Sequence, residues 1–120
     1  MSSTLTISGS SVGEPAGSRA IGPVSITNAT AVGETISMAL ANGDNVITIP
    51  TGAVAVLIVP PSGNASTITY RTSLNNADGG VPLSQGTFPF LHSFPSTPPT
   101  TITLKATGAI SSPLTTVVFL

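Results

Sequence analysis

Glycine and proline interrupt this chain every few residues, and their spacing limits the fold more than any other sequence feature. There are 12 glycines and 11 prolines among 120 residues. Between them, apolar residues nowhere recur at helical spacing over the roughly 11 positions that identify a helix. What remains are short runs rich in Val, Ile and Thr, which is typical of β-strands. The sequence therefore predicts an all-β fold.

Candidate strands follow one another at intervals of about ten residues, which is typical of antiparallel sandwiches and jelly rolls. We predict a single jelly-roll-like, antiparallel β-sandwich of seven or eight short strands over residues 23–120, preceded by an extended N-terminal arm over residues 1–22. Residues 8–22 are rich in Ser, Gly and Pro and are predicted to be arm or loop. The candidate strands are residues 4–7, 23–27, 34–40, 45–50, 54–59, 66–72, 81–83, 101–106 and 114–120.

One turn has a strong local signal. Asn42-Gly43 lies between ETISMAL (34–40) and NVITIP (45–50), and an Asn-Gly pair between two such runs is typical of a β-hairpin. We therefore expect these two strands to pair antiparallel. One face of the first strand should carry Ile36, Met38 and Leu40.

Two other strands are unusually apolar. VAVLIV (54–59) has no polar residue, which indicates a strand covered on both faces or at the centre of a sandwich. The run at 114–120 ends in four apolar residues, which must be covered by the sandwich or by a neighbouring subunit. By contrast, STITYRT (66–72) alternates, with Ile68 and Tyr70 opposite Thr67, Thr69 and Arg71.

The charge content restricts the function. Charged residues make up 6% of the chain, and three cations set against four acids leave a net charge of -1. So few cations cannot neutralise a run of phosphates, so we expect no nucleic-acid partner. A net charge near zero also removes the repulsion that keeps proteins apart, which favours a homo-oligomer. No apolar run approaches the roughly 20 residues that span a bilayer, and we expect no membrane partner.

The residues capable of catalysis form no convincing site. His92 is the only histidine, and with Ser84, Ser93 or Ser96 and Asp44 or Asp78 it would complete a Ser-His-Asp triad. No nucleophile elbow surrounds any of these serines, and in a Ser-rich chain such combinations arise by chance. The sequence therefore predicts a non-enzymatic protein, with His92 as a loop residue among Phe and Pro.

Metal and modification sites are equally weakly indicated. The four acids stand apart in the sequence, so we predict no metal and no cofactor. Asn75, Asn76 and Asp78 would suit calcium, but the same residues are ordinary in tight turns. Asn28 and Asn64 begin glycosylation sequons, which without a basic and apolar N-terminal leader we interpret as turn sequences.

An aromatic, proline-rich segment near residue 90 is the candidate contact loop. Residues 88–95 (FPFLHSFP) hold three of the four Phe residues in the chain. Proline lowers the entropy lost on binding and aromatic rings supply contact area, which favours an interface. Alternatively, the rings fold back and plug one end of the sandwich. The proposed contact residues in this loop are Phe88, Phe90, Leu91 and Phe94.

The order of pieces from residue 43 onward resembles a known group of proteins. GDNVITIPTGAVAVLIVPPSGNASTITYRTS (43–73), followed by a Gly/Asp loop and VPLS (81–84), is similar to small β-sandwich virion proteins of tailed bacteriophages that infect actinobacteria. Their motif runs "tIPtGAxxvlIxPPsgNxxtityk", then a "plsp" turn, a threonine-rich strand and an apolar end. The likeness extends over residues 43–120 and is loosest over residues 87–100.

This resemblance implies a structural part of the virion, either a capsid decoration (cement) subunit or a tail-associated module. Its partner would be the major capsid protein or another virion protein, its location the virion, assembled in the bacterial cytoplasm, and its oligomer a trimer by analogy with other decoration proteins. An arm can add a strand to a neighbour's sheet edge. We therefore place arm contacts at Thr4, Leu5, Thr6 and Ile7.

A second hypothesis is a module that binds a glycan on the host surface. Its site would lie near Tyr70, Asn75, Asn76, Asp78 and His92. Sugar sites usually stack an aromatic ring on the saccharide, and a chain with no Trp and one Tyr offers little for that.

Overall fold

The computed structural model describes residues 3–11, 19–28, 34–63, 66–72, 79–84, 86 and 88–120. All regular structure in these ranges is β-strand, and no helix in them has the length and apolar character needed to cross a lipid bilayer. The ten strands are β1 (Ser3–Ser11), β2 (Arg19–Asn28), β3 (Glu34–Leu40), β4 (Gly43–Thr48), β5 (Ala55–Val59), β6 (Ile68–Arg71), β7 (Val81–Pro82), β8 (Phe90–Ser93), β9 (Thr101–Ala106) and β10 (Ile110–Phe119).

Eight of these strands form a β-sandwich of two antiparallel sheets. The first sheet has the order β3-β10-β5-β8 and the second the order β4-β9-β6-β7. Successive strands from β3 to β10 alternate between the sheets, except that β6 and β7 are neighbours in the second. The predicted all-β, antiparallel sandwich is therefore confirmed.

The core lies between the two sheets and follows the alternation of each strand. Val56 and Ile58 on β5 are fully buried, as are Ile102 and Leu104 on β9. Burying an aliphatic side chain of this size contributes about 1.5–3 kcal/mol, so these inward rows supply most of the stability. On β3 the expected row is confirmed, because Leu40 is buried and Ile36 and Met38 pack against the core.

The apolar C-terminal strand is covered by the chain itself. β10 begins at Ile110, earlier than expected, and lies between β3 and β5 with Val117 and Phe119 fully buried. The Leu120 N–H donates to the Ala55 carbonyl oxygen at 3.0 Å, which continues the pairing with β5. This segment was expected to be covered either by the sandwich or by a neighbouring subunit, and the sandwich buries Val117 and Phe119.

β5 was expected to be covered on both faces or to lie at the centre of the sandwich. It lies inside its sheet, between β10 and β8, with Val56 and Ile58 buried in the core, but Leu57 and Val59 on its outer face are only half-buried.

The expected hairpin at Asn42-Gly43 is wrong. β3 pairs with β10 and β4 pairs with β9, so the turn carries the chain from one sheet to the other. The Asn45 side chain explains the crossing, because its Oδ1 accepts from the Ala41 N–H (2.9 Å) and its Nδ2 donates to the carbonyl oxygens of Ala41 (2.9 Å) and Leu104 (3.0 Å). Gly43 has a φ of 100°, a conformation that favours glycine in a corner as much as in a hairpin.

The N-terminal prediction also needs correction. Residues 8–22 were expected to be arm or loop, but β1 extends to Ser11 and β2 begins at Arg19, and the two pair antiparallel in a separate two-stranded sheet. Main-chain hydrogen bonds do not require apolar side chains, and a register shift between Ile7 and Gly9 accommodates the small residues. The boundary expected after residue 22 falls inside β2, and residues 12–18 lie outside the described ranges.

Candidate functional site

A cleft opens at one side of the sandwich, where the edge strands β7 and β8 of the two sheets face each other. Its volume is about 310 Å³, near the lower limit for small-molecule sites. Gly80 forms part of its wall. Only glycine fits at this position, because a Cβ would lie 2.7 Å from the Tyr70 carbonyl oxygen. The lining residues are Tyr70, Arg71, Thr72, Gly80, Val81, Phe90 and His92.

Four rings from both sheets form an aromatic cluster beside this cleft, namely Tyr70, Phe90, His92 and Phe94. The Tyr70 ring centroid lies 4.9 Å from that of Phe90 and 5.6 Å from that of His92. His92 in turn meets Phe94 edge-on, with centroids 5.3 Å apart. Such pairs contribute about 0.5–1.5 kcal/mol beyond the area they bury, so the cluster fastens β8 to β6.

A single hydrogen bond joins the two polar members of the cluster. The Tyr70 hydroxyl lies 2.7 Å from His92 Nδ1 and donates to it when the imidazole is neutral and protonated on Nε2. Tyr70 is 4% exposed, and burial raises its pKa to about 12. The phenol is therefore a neutral hydrogen-bonding group at physiological pH, with no phenolate available for chemistry.

The strand β8 explains how the cluster is presented. Phe90 and His92 pair with Ile58 and Val56 of β5, and because side chains alternate along a strand both face the interior. The Phe94 N–H donates to the Val54 carbonyl oxygen at 2.8 Å, which extends the pairing. His92 was expected in a loop among Phe and Pro, but it is a strand residue whose ring contacts those of Tyr70 and Phe94.

The aromatic segment divides between the two roles considered for it. Phe90 and Phe94 are partly buried and pack against the core between the sheets. Phe88 is 76% exposed. Leu91 is half-buried and lies on the opposite face of β8 from Phe90 and His92. The segment therefore packs two of its rings against the core and presents the third to solvent.

Among the described residues, His92 and Asp44 are not joined in a catalytic triad. His92 Nδ1 contacts the Tyr70 phenol, whereas in a triad a carboxylate would accept from this nitrogen. Asp44 instead pairs with Arg71. Within the described part of the chain, no three His, Cys, Asp or Glu side chains come together as metal ligands. Asn75, Asn76 and Asp78, considered for calcium and for glycan binding, lie outside the described residues.

The second sheet carries a compact group of charges on its outer face. The Arg71 Nη2 lies 2.7 Å from Asp44 Oδ2. Arg71 lies on the same face of β6 as Thr69, as the alternation predicts, and its side chain is 3% exposed. Asp44 pairs in register with Lys105 on β9, and Lys105 pairs with Thr69 on β6. These three charges therefore partly compensate one another on one sheet.

The first sheet is different, because its outer face carries aliphatic residues. Leu57 and Val59 on β5, Leu91 on β8 and Val118 on β10 alternate with core residues and are each half-buried. The register places Leu57 directly between Leu91 and Val118. We call these four residues the outer apolar face. Threonine and serine continue this surface toward the β3 edge, at Thr35, Ser37 and Thr116.

Sequence reasoning missed this surface, although a signal for it was present. An unbroken apolar run such as 54–59 must place aliphatic residues on both faces of its strand. The register with β8 and β10 then decides which other residues join them, and register is not readable from the sequence.

The residues proposed as contacts fall on two separate parts of the molecule. Thr4 and Thr6 are exposed positions of β1, and Leu5 and Ile7 belong to the same strand opposite Ile26 and Val24. The loop residues belong to the sandwich, where Leu91 joins the outer apolar face while Phe90 and Phe94 join the aromatic cluster. Tyr70 and His92, proposed for a glycan site, do come together.

Comparison of this chain with protein-family models, with curated proteins and with solved structures finds no match.

Proposed function

We propose that this chain is a non-enzymatic structural subunit of a virion that binds the outer capsid surface of a tailed phage as a decoration subunit. The observation that carries the proposal is the outer apolar face, an uncharged surface on an otherwise complete sandwich. It accords with the resemblance to phage virion sandwiches over residues 43–120. A surface of this kind is suited to a lasting contact with another protein.

The physical chemistry of attachment follows from the surface composition. Outside the Asp44, Arg71 and Lys105 group, Glu34 is the one charged side chain described on the sandwich. Binding would then depend on apolar burial and main-chain hydrogen bonds, which salt does not screen. The partner is the major capsid protein or another virion protein that presents a matching uncharged surface.

Two exposed features are placed at that contact. Phe88 is a large ring in solvent, and aromatic anchors dominate the energetics of many interfaces. Among the described strands, β3 and β4 are sheet edges, so each has a side that no described strand pairs, and β4 exposes Val46 there. Thr4, Leu5, Thr6 and Ile7 remain proposed contacts through β1.

The direct test is the composition of particles purified from the phage that encodes the chain. Quantitative mass spectrometry should find the chain in a constant, high ratio to the major capsid protein. A few copies per particle would indicate a tail module, and absence from the particles would overturn the proposal.

A rebinding experiment then locates the contact. Particles that lack the chain are mixed with purified protein, and bound protein is measured after sedimentation. Phe88→Ser should lower particle occupancy severalfold. The control is Leu114→Ser, which removes a different exposed apolar side chain, on β10, and should leave occupancy unchanged. Equal occupancy for the two variants would remove Phe88 from the contact.

A second candidate function is a module that binds a host-surface glycan, and the cleft favours it. Tyr70 and His92, whose hydroxyl and Nδ1 atoms lie 2.7 Å apart, border a cleft of about 310 Å³. Phe90 also lines this cleft. A glycan-array screen distinguishes the two functions. Saturable binding that is lost in His92→Ala and retained in the distant variant Thr48→Ala supports the module, and no binding on the array removes it.

A further inference from the structure

The cleft between β7 and β8 is lined by an aromatic ring and an imidazole from the same strand. Phe90 is half-buried and lines the cleft, with the Tyr70 ring 4.9 Å away at an angle of 49°. His92 lies two residues further along β8, on the same face, and also lines the cleft. A molecule that enters the cleft therefore meets an apolar ring beside a polar one.

The hydrogen bonding of His92 leaves one ring nitrogen for a ligand. Nδ1 is occupied by the Tyr70 hydroxyl at 2.7 Å, and within the described part of the chain no hydrogen bond is formed to Nε2. Nε2 also retains contact with solvent. When the neutral imidazole accepts at Nδ1, the proton is on Nε2, which makes this nitrogen a donor. A ligand that offers an oxygen acceptor would satisfy it.

The charges near the cleft favour an uncharged ligand. Among the described residues that line it, Arg71 is the one with a permanent charge, and its Nη2 lies 2.7 Å from Asp44 Oδ2. Lys105 pairs in register with Asp44, on the outer face of the second sheet. Beside a neutral imidazole, a carboxylate or phosphate in the cleft would lose water without gaining a cation of its own, which is unfavourable.

A sugar ring combines the properties that the cleft requires. It has an apolar C–H face, which stacks on an aromatic ring, and hydroxyl groups at its rim, which accept and donate hydrogen bonds. We propose that the cleft binds one neutral sugar ring, with its C–H face on Phe90 and a hydroxyl oxygen accepting from His92 Nε2. A wholly apolar ligand would instead leave the Nε2 donor without a partner.

The size and rim of the cleft agree with this ligand. A volume of about 310 Å³ is near the lower limit for small-molecule sites, so the cleft takes a single ring of a glycan. Thr72 adds a hydroxyl to the lining. Among the described strands, β7 and β8 are sheet edges, so each has a main-chain side that no described strand pairs. Sugar hydroxyls suit such groups because they both donate and accept.

This inference rests on the second candidate function, the binding of a host-surface glycan, and it names the class of sugar and the contact residues. The capsid contact is placed elsewhere, at the outer apolar face and Phe88. Presence of the chain in particles, or its absence from them, therefore does not decide the inference.

Nuclear magnetic resonance of the imidazole tests the proposal directly, because His92 is the only histidine in the chain. The purified full-length protein is titrated at mildly alkaline pH, where an ordinary imidazole is neutral. The probes are methyl glucoside, methyl galactoside and methyl mannoside, each compared with the matching methyl uronide. A glycoside and its uronide differ only at C6, where the uronide carries a carboxylate.

At least one neutral glycoside should shift the His92 ring signals to saturation, and its uronide should bind at least severalfold more weakly. No saturable shift with any of the neutral glycosides would overturn the proposal. A uronide that binds as tightly as its glycoside would overturn it as well.

Two leucine variants test the stacking contact. Phe90→Leu removes the ring from the cleft but keeps an apolar side chain against the core, and it should weaken glycoside binding severalfold. Phe94→Leu is the matched control, because Phe94 packs against the core and contacts His92 but does not line this cleft. It should leave the affinity unchanged. Equal affinities for the two variants, with both shown to be folded by their amide spectra, would contradict a sugar stacked on Phe90.

The inference and the glycan-binding function can fail separately. If the chain binds on the glycan array while the His92 signals stay unmoved, the chain is a glycan-binding module with its site elsewhere, and the inference is overturned. If the array and the titration both show no binding, the inference and the module are both removed.

Discussion

At the scale of single residues, the Tyr70 phenol is a titratable group that burial removes from water. It is nearly inaccessible, lies 2.7 Å from His92 Nδ1 and contacts two aromatic rings. Ionising it would place a negative charge in the aromatic cluster, which explains why burial raises its pKa to about 12 from the ordinary value of 10.0. As the only tyrosine in the chain, it can be titrated without interference.

The first prediction is that the ultraviolet absorbance of ionised phenol develops near pH 12 in the folded protein and near pH 10 in urea. Between these values the unfolded chain releases a proton that the folded chain retains. Stability should therefore be unaffected by this group below about pH 10 and should fall above it, by at most about 1.4 kcal/mol per pH unit. Tyr70→Phe removes this contribution, and a folded-state titration near pH 10 would contradict the buried geometry.

The second prediction concerns the ion pair on the second sheet. Arg71 is buried while Asp44 is 39% exposed, so removing the acid deprives a desolvated guanidinium of a charged hydrogen bond. Asp44→Ala should lower the free energy of unfolding by about 1.5–3 kcal/mol in urea titration. Lys105→Ala, at the exposed position opposite Asp44, is the control and should change it by less than about 0.5 kcal/mol. A stability loss for Asp44→Ala no larger than that for Lys105→Ala would contradict a stabilising role of the ion pair.

At the scale of elements, the turn between β3 and β4 depends on one side chain. Asn45 bonds to both main-chain groups of Ala41 and to the Leu104 carbonyl oxygen on β9, so it closes the corner and ties it to the second sheet. The third prediction is that Asn45→Ala costs roughly 2 kcal/mol of stability in urea titration, since it leaves these groups without their partner. Asn42→Ala, at an exposed position of the same turn, should cost less than half of that. The reverse order would contradict the corner described.

The strands could be predicted from the sequence far better than their partners. Alternation and Gly/Pro spacing located β3, β5, β6, β9 and the end of β10, because these signals are local. The Asn42-Gly43 signal was misread because a tight turn with glycine at positive φ serves a corner between sheets as well as a hairpin. β1 and β2 were underestimated, since their Ser and Gly residues weaken the side-chain pattern while their main-chain groups still pair.

The candidate sites were less predictable than the strands, for a related reason. The aromatic segment and Tyr70 were singled out as residues, but the pairing of Tyr70 with His92 joins strands of different sheets and depends on packing. The outer apolar face likewise combines β5, β8 and β10 through their register. Phe88, which precedes β8, was recognisable from the sequence as a candidate contact residue. The sequence could not distinguish this exposed ring from the partly buried rings of Phe90 and Phe94.

At the scale of the whole molecule, the distribution of charge distinguishes the two sheets. The second sheet carries Asp44, Arg71 and Lys105, whereas the first presents aliphatic residues and hydroxyls to the outside. A sandwich with one uncharged outer face and an additional hairpin is suited to assembly with copies of itself or with a larger structure. Apolar surface of this kind favours association that ionic strength does not weaken.

The most direct test of this account is the mass of the purified chain in solution, measured by light scattering in a salt series up to about 1 M, where the Debye length is about 3 Å. The account predicts an oligomer of constant mass across the series, because its contacts are apolar and main-chain. A soluble monomer at every salt concentration, or an oligomer that dissociates as salt rises, would contradict it.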